Sequence, residues 1–299
     1  DPSLMRAELG ERSLVRTFRG IEIHATDAHR APNLMQEIGR IRELEFRAEG
    51  GGTGKAADID EFDTGDRPFR QLVAWDPEAG ELVGMYRFLP AAAARLPDGS
   101  YALPTARLFT FSARFCDEAL PVTVELGRSV VNRSARRAIM GLFAVWSGLG
   151  AIVAEHPELR CFFGKFTTYP SYHPRARACL MDFLARYCAD PDQSVTPLPE
   201  LEVVEQADGS LEGFSGTDYE SDYALLGERL KALDETIPPL VISYLGLSRT
   251  MRCYGTARNP HFGDVYETAI MITIADIHDK QRSRFVDSYE SINPSALAW

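Results

Sequence analysis

The stretch that most constrains this chain is residues 122–131, an apolar and largely β-branched run that contains Glu125 and Arg128. Its composition predicts a buried strand. A charged group taken out of water is strongly destabilising unless it is paired or hydrogen-bonded. Glu125 and Arg128 must therefore each have a partner in the folded protein. Gly127 lies between them and predicts a bulge or a close backbone approach. Two interpretations stay open, a structural ion pair in the core or functional groups in a site.

The overall composition excludes several classes of protein. The 299 residues are 45% hydrophobic and 25% charged, as expected of one large or two small globular domains. A net charge of −11 argues against a nucleic-acid-binding protein, which would need a basic surface. The five cysteines are widely spaced without a CxxC pair, which argues against a disulfide framework or structural zinc. We therefore expect a cytoplasmic protein.

Two segments resemble motifs that they do not satisfy. Residues 50–55 are rich in glycine, but Glu49 and Ala56 occupy the positions at which a phosphate loop needs Gly and Ser/Thr. Residues 58–63 alternate carboxylates, but a calcium loop would need a ligand at Phe62 and Gly at Asp63. We predict no metal site.

The longest apolar run, residues 138–154, carries no charge but contains Gly141, Gly148 and Gly150. These glycines favour a core helix packed closely by its neighbours over a membrane span.

The order of predicted elements favours a mixed α+β fold. Residues 69–89 form a predicted hairpin, and strands alternate with helices from residue 122 onward. We expect one central, twisted, mixed sheet flanked by helices. The predicted divisions are an N-terminal arm (1–30), a core (31–190), a polar linker or excursion (191–217) and a C-terminal part that completes the fold (218–299).

Charged residues in or beside apolar elements are the candidate site. The sequence has no GxSxG motif and no cysteine in a nucleophile context, which argues against covalent hydrolase chemistry. Arginines and carboxylates together can bind a zwitterion, and a buried carboxylate can remove a proton from an amine. The candidates are Arg42, Asp60, Asp63, Arg87, Glu125 and Arg128.

Four motifs occur in a familiar order: residues 40–46 (RIRELEF), 58–63 (DIDEFD), 83–90 (VGMYRFLP) and 125–130 (ELGRSV). Together they resemble the ornithine-acyl-carrier-protein N-acyltransferases of the GNAT superfamily, the hemolysin-like group. The long-chain N-acyl amino acid synthases and the acyl-homoserine-lactone synthases are similar. The resemblance implies a GNAT-like fold and a cofactor-free transfer of a long-chain acyl group, plain or 3-hydroxylated. The donor would be an acyl carrier protein thioester, with acyl-CoA as the alternative. The acceptor would be the amine of ornithine, glycine, lysine or a similar amino acid.

The resemblance also implies roles for the residues at the active site. Glu125 would position or deprotonate the amine, and Arg128 would pair with one of the acids. Asp60 and Arg87 would organise the acceptor site. Backbone N–H groups near Gly127 would bind the oxyanion of the thioester.

The substrate-binding wall would involve three further residues. By the family pattern, Arg42 and Phe46 would shape the channel for the acyl chain and pantetheine. Asp63 would help to organise the mobile N-terminal wall.

The segment after the 122–131 strand predicts the donor. Ordinary acetyl-CoA-dependent members carry a Gly-rich pyrophosphate loop there, whereas this chain has residues 132–137 (NRSARR). Arg133, Arg136 and Arg137 would give a local basic patch for an acidic carrier protein. In the alternative interpretation they are solvated residues at a helix terminus.

Two other functions stay open. One is an autoinducer synthase that uses S-adenosylmethionine, although its usual aromatic platform is not evident between Phe46 and Asp58. The other is a non-catalytic module that binds acyl chains or acyl carrier protein. An N-acyl amino acid or lyso-aminolipid product would be amphiphilic, so peripheral membrane contact is a further expectation.

Overall fold

The computed structural model describes residues 2–202 and 213–299. Eight strands form one mixed sheet in the order β1-β2-β3-β4-β6-β7-β10-β9, and β5 pairs with β8 in a separate ribbon. Only β6 and β7 are parallel among these described neighbours. The strands are β1 (Leu14–Phe18), β2 (Ile21–Thr26), β3 (Arg70–Asp76), β4 (Glu81–Pro90), β5 (Phe109–Phe111), β6 (Thr123–Val131), β7 (Cys161–Thr168), β8 (Val195–Pro197), β9 (Arg252–Asn259) and β10 (Val265–Thr273).

Helices flank this sheet, which confirms the predicted mixed α+β class. Four of them begin with proline in the first helical turn, where its missing N–H costs nothing. The helices are α1 (Pro2–Glu8), α2 (Pro32–Ala48), α3 (Glu61–Thr64), α4 (Gly141–Glu155), α5 (Pro174–Tyr187), α6 (Tyr219–Lys231), α7 (Pro239–Leu245) and α8 (Asp279–Arg282).

Helix α4 covers one face of the sheet. A Cβ at Gly148 would lie 2.8 Å from Ile23, so glycine permits the close approach of helix and sheet. By length and composition alone, residues 138–155 could cross a membrane, but 61% of that window is buried inside the fold. We therefore interpret α4 as a core helix.

The opposite face carries a polar row between two apolar clusters. One cluster packs α2 against β3 and β4, and the other packs the β5–β8 ribbon against β7, β9 and β10. Between them, Gln71 of β3 is the register partner of Arg87 of β4, and Arg87 is the partner of Gly127 of β6. Successive strand residues point to opposite faces, so this row faces the same side as α2.

Parts of the chain outside the predicted core contribute to the same sheet. Strands β1 and β2 lie within residues 14–26, which were assigned above to an N-terminal arm. Strand β1 pairs with β2, and β2 pairs with β3. Within the predicted excursion, β8 pairs with β5, and residues 203–212 lie outside the described residues. Strands β9 and β10 come from the predicted C-terminal part.

Candidate active site

The parallel strands β6 and β7 separate at the centre of the sheet. Their pairing runs from Thr123 and Cys161 to Leu126 and Gly164, and β7 then continues beside β10. Beyond that point β6 contains an extra residue relative to β4, and Arg128 adopts a φ of 55°. The bulge predicted from Gly127 is therefore confirmed, with the strained backbone at the next residue.

A cleft of about 350 Å³ lies where these strands separate. Its lining includes Glu125 and Lys165, and also their chain neighbours Leu126 and Phe166. Because adjacent strand residues point to opposite faces, the cleft passes through the sheet.

The cleft has a different neighbour on each face. On the α4 face it shares Tyr86 and Tyr244 with an apolar cavity lined by core side chains such as Trp146 and Phe162. The hydroxyl oxygens of the two tyrosines are 2.9 Å apart. On the α2 face, Arg87, Arg128 and Lys165 also line an outer cleft of about 700 Å³.

Asp63 is the centre of a buried ion network. Arg42 Nη1 is 3.1 Å from Asp63 Oδ1, and Arg87 Nη1 is 3.1 Å from Asp63 Oδ2. Gln71 also donates to Asp63 Oδ1, at 3.0 Å. Burial would raise the pKa of Asp63, but the charges of Arg42 and Arg87 outweigh it and hold this pKa well below its usual range.

Asp60 connects this network to the cleft. Its side chain caps α3 by accepting hydrogen bonds from the backbone N–H groups of Phe62 and Asp63, and it also pairs with Arg87 Nη1 at 2.8 Å. The pKa of Arg87 is raised because Asp63 and Asp60 outweigh the effect of burial. Asp60 and Arg87 line the outer cleft.

Arg42 lies behind the cleft. It is 0% exposed, and its guanidinium contacts Asp63 and Gln71. In the structure it supports the wall of the site, whereas the family pattern had implied a residue of the acyl and pantetheine channel. Phe46 does line the cleft and packs edge-on against Phe262, with ring centroids 5.1 Å apart.

Arg128 forms a bidentate pair with Asp58. The distances are 2.7 Å from Nε to Oδ2 and 3.2 Å from Nη2 to Oδ1. Its guanidinium also lies 4.1 Å from the centroid of the Phe262 ring. A structural pair between Glu125 and Arg128 is therefore wrong. Asp58 was missed as a site residue, although the alternating carboxylates of its segment were a signal.

Glu125 is a buried carboxylate with one unused oxygen. Oε1 accepts hydrogen bonds from the N–H of Thr105 at 2.9 Å and from its hydroxyl at 2.5 Å. Oε2 is buried and has no hydrogen-bond partner among the described residues. Burial raises the pKa of Glu125 against the opposing effects of Lys165 and Thr105. Such a carboxylate is suited to accept a proton.

Lys165 and Glu267 complete the lining, and sequence reasoning missed both. The Nζ of Lys165 is 3.2 Å from the Pro104 carbonyl oxygen and 3.6 Å from Glu267 Oε2. Glu267 accepts a hydrogen bond from Asn259. A lysine within the apolar strand segment 161–168 was the available signal.

The arginines predicted to bind a carrier protein are each paired locally. Arg133 contacts Glu45 and Glu49, Arg136 lies 2.9 Å from Glu78, and Arg137 donates to a backbone carbonyl. The backbone N–H of Arg133 donates to Glu45 and that of Arg136 to Glu81. Within residues 2–202 and 213–299, no group of three or more His, Cys, Asp and Glu could hold a metal ion.

Comparison with known proteins gives the class of the chain. The model of the acetyltransferase (GNAT) domain family matches residues 41–146. A glycine N(alpha)-acyltransferase of Phocaeicola vulgatus is 43% identical over 304 residues, which cover 98% of this chain and 93% of the relative. One of Bacteroides thetaiotaomicron is 42% identical and covers 98% of this chain and 90% of the relative. The chain belongs to this family of GNAT N-acyltransferases, which confirms the resemblance and makes the protein an enzyme.

A solved structure is similar at a much lower level. The CoA-dependent acyl-homoserine lactone synthase BjaI, with SAM and isopentyl-CoA, is 11% identical, with a TM-score of 0.42. The match covers 93% of this chain and 97% of that chain.

Proposed function

We propose that this enzyme transfers a long-chain fatty acyl group from the thioester of an acyl carrier protein to the amine of an amino acid, with glycine as the first acceptor to test. The observation that carries the proposal is Glu125, a buried carboxylate in the lining of the cleft, one oxygen of which has no hydrogen-bond partner among the described residues; the cleft shares lining residues with an apolar cavity.

Glu125 supplies the base that amide formation requires. An ammonium group is not nucleophilic, so one proton must leave before the amine attacks the thioester carbonyl. Oε2 of Glu125 accepts that proton, while Thr105 holds Oε1. The C–N bond then forms, the nitrogen loses its second proton as the C–S bond breaks, and the leaving thiolate takes up that proton; Glu125 releases the first proton to solvent. Backbone N–H groups of the bulged segment near Gly127 stabilise the transient oxyanion.

The apolar cavity has the lining that a fatty acyl chain needs, but its volume is only about 60 Å³, so a long chain would fit only if the surrounding side chains moved apart. It begins at Tyr86 and Tyr244, runs beneath α4, and is lined by Leu149, Val153 and Ile270, among others. A chain bound there buries methylene groups at about 0.8 kcal/mol each. Its thioester would then lie in the cleft, near Glu125.

The segment that follows β6 favours a carrier protein over CoA. A pyrophosphate loop binds phosphate through free backbone N–H groups, but here carboxylates of Glu45 and Glu81 occupy those of Arg133 and Arg136. The side-chain pairs of these arginines are exposed, and exposed pairs contribute little stability. An acidic carrier protein can therefore compete for them.

The acceptor assignment draws on the relatives. Both are named glycine N(alpha)-acyltransferases and match nearly the full length of this chain. An N-acyl amino acid or lyso-aminolipid made in the cytoplasm would partition into a bilayer, so the product supports peripheral membrane contact.

The test is a transfer assay with purified protein. Long-chain acyl carrier protein is incubated with glycine, ornithine or lysine, and thiol release and acyl-amide formation are followed by mass spectrometry. We expect acyl-glycine as the main product. Absence of acyl-amide with every amino acid would contradict the proposal. Lactone formed only with S-adenosylmethionine would instead indicate an autoinducer synthase. A bound acyl chain without acceptor-dependent thiol release would indicate a binding module.

A further inference from the structure

Lys165 is a lining residue of all three spaces at the site. It lines the cleft through the sheet, the outer cleft on the α2 face and the apolar cavity. Its side chain is only 12% exposed. An ammonium has three hydrogen-bond donors, yet Nζ has one described acceptor within hydrogen-bond distance, the Pro104 carbonyl. Glu267 Oε2, 3.6 Å from Nζ, balances the charge of Lys165 but is too distant to accept a hydrogen bond from it.

The arginines at the site differ from Lys165 in this respect. Arg87 is held by Asp60 and Asp63, and Arg128 is held by both oxygens of Asp58. The charge of each guanidinium is balanced by a carboxylate in hydrogen-bond contact, although Nε of Arg87 has no partner among the described residues. Among the cations that line the cleft through the sheet, Lys165 is the one whose described contacts include no carboxylate within hydrogen-bond distance.

The lining of the cleft therefore contains a carboxylate oxygen without a described partner and an ammonium with unused donors. The acceptor is Oε2 of Glu125, and the donor is Nζ of Lys165. An α-amino acid has the complementary arrangement, with an ammonium and a carboxylate on one carbon. We propose that Lys165 binds the carboxylate of the acceptor while Glu125 receives the proton of its amine. This inference rests on the proposed function and adds a selection rule, that the acceptor must carry a free α-carboxylate.

The hydrogen-bonding capacity of Lys165 supports this rule. The carboxylate of a zwitterion accepts from donors of Lys165 that have no other described acceptor. An amine that lacks the carboxylate would leave these donors without an acceptor at a largely desolvated position. Lys165 would thus exclude simple amines and amino-acid amides as well as bind amino acids.

The test compares glycine with glycinamide, which differ in the carboxylate. We expect the wild-type protein to prefer glycine. Lys165→Met should reduce the ratio of kcat/KM for glycine to kcat/KM for glycinamide about 10- to 100-fold, which is the range for a lost charge-assisted hydrogen bond. Lys165→Arg should keep most of the ratio. The matched control is Lys231→Met, an exposed lysine of α6. Since both substrates are measured on the same preparation, partial misfolding does not change the ratio.

Calorimetric titration of glycine and glycinamide separates this inference from the proposed function. If glycine binds through Lys165 but no acyl-amide forms, the carboxylate site stands and the transfer reaction is wrong. If transfer occurs but Lys165→Met keeps the wild-type ratio, or the wild type shows no preference, the carboxylate site is wrong.

Discussion

Two groups of buried charge lie close to each other at the central strands, and they differ in how fully their carboxylate oxygens are used. Around Asp63, both carboxylate oxygens accept hydrogen bonds from neighbouring side chains, although Nε of Arg42 and of Arg87 has no partner among the described residues. At the separation of β6 and β7, one oxygen of Glu125 has no partner in the described part of the chain, and no described carboxylate lies within hydrogen-bond distance of Lys165. The first group holds the wall in place, and the second is suited to bind and react. Burial of charge alone does not distinguish them, whereas an unpaired carboxylate oxygen does.

The largest expected effect is on activity, from Glu125→Gln. The amide oxygen can still accept from Thr105, but the group no longer accepts a proton, so we expect kcat/KM to fall about 10²–10⁴-fold. Thermal unfolding should show little loss of stability. Glu228→Gln, on the exposed face of α6, is the control. Near-normal turnover in Glu125→Gln would remove Glu125 from the mechanism.

For Asp63→Asn we expect a large loss of stability, in contrast to Glu125→Gln. This change leaves Arg42 and Arg87 buried without their shared anion, which typically costs about 3–5 kcal/mol of unfolding free energy. Urea unfolding measures the loss, and activity should fall because the wall of the site is lost. If stability were unchanged while activity disappeared, the distinction between the two groups would be wrong.

The two carboxylates should also give opposite dependences of stability on pH. The pKa of Asp63 is lowered on folding, so its contribution is present above the unfolded value of about 3.9 and is lost as the pH falls below it. The pKa of Glu125 is raised on folding, so its contribution is greatest at low pH. That contribution declines as the pH rises from the unfolded value, about 4.3, through the folded one.

Unfolding curves from pH 2 to 8 test this difference, since the Asp63 contribution declines below about pH 4 and the Glu125 contribution declines above it. Relative to wild type, Glu125→Gln should gain stability as the pH rises. A variant that instead became progressively less stable toward neutral pH would contradict the sign of the shift at Glu125.

The smallest effect is expected at the surface. Arg133→Ser combined with Arg136→Ser should raise KM for acyl carrier protein a few-fold, more at low salt, and leave KM for acyl-CoA unchanged. Arg249→Ser removes a comparable exposed pair with Glu220 and serves as control. Equal effects on both donors would argue against a carrier-binding surface.

Sequence reasoning identified the strand, its bulge and the charged residues of the Asp63 network, because a charge within an apolar segment stands out in the sequence. Gln71 of that network and the partners of Glu125 were not identified. Thr105 comes from a connecting segment, and Lys165 is brought close by the pairing of two parallel strands. Strand β1, which is short and has a bulge and one charged residue, was also too irregular for its periodicity to be read.

A cleft that passes through a sheet has a separate neighbouring space on each face, here the apolar cavity and the outer cleft. The acyl thioester and the amino acid need not pass each other, so both can be bound before any bond changes. Initial-rate plots against the two substrates should therefore intersect, as for a ternary complex, and should not be parallel, as for a covalent acyl-enzyme. Under the proposed function, the break in the pairing of β6 and β7 thus predicts the kinetic order of the reaction as well as the place where it occurs.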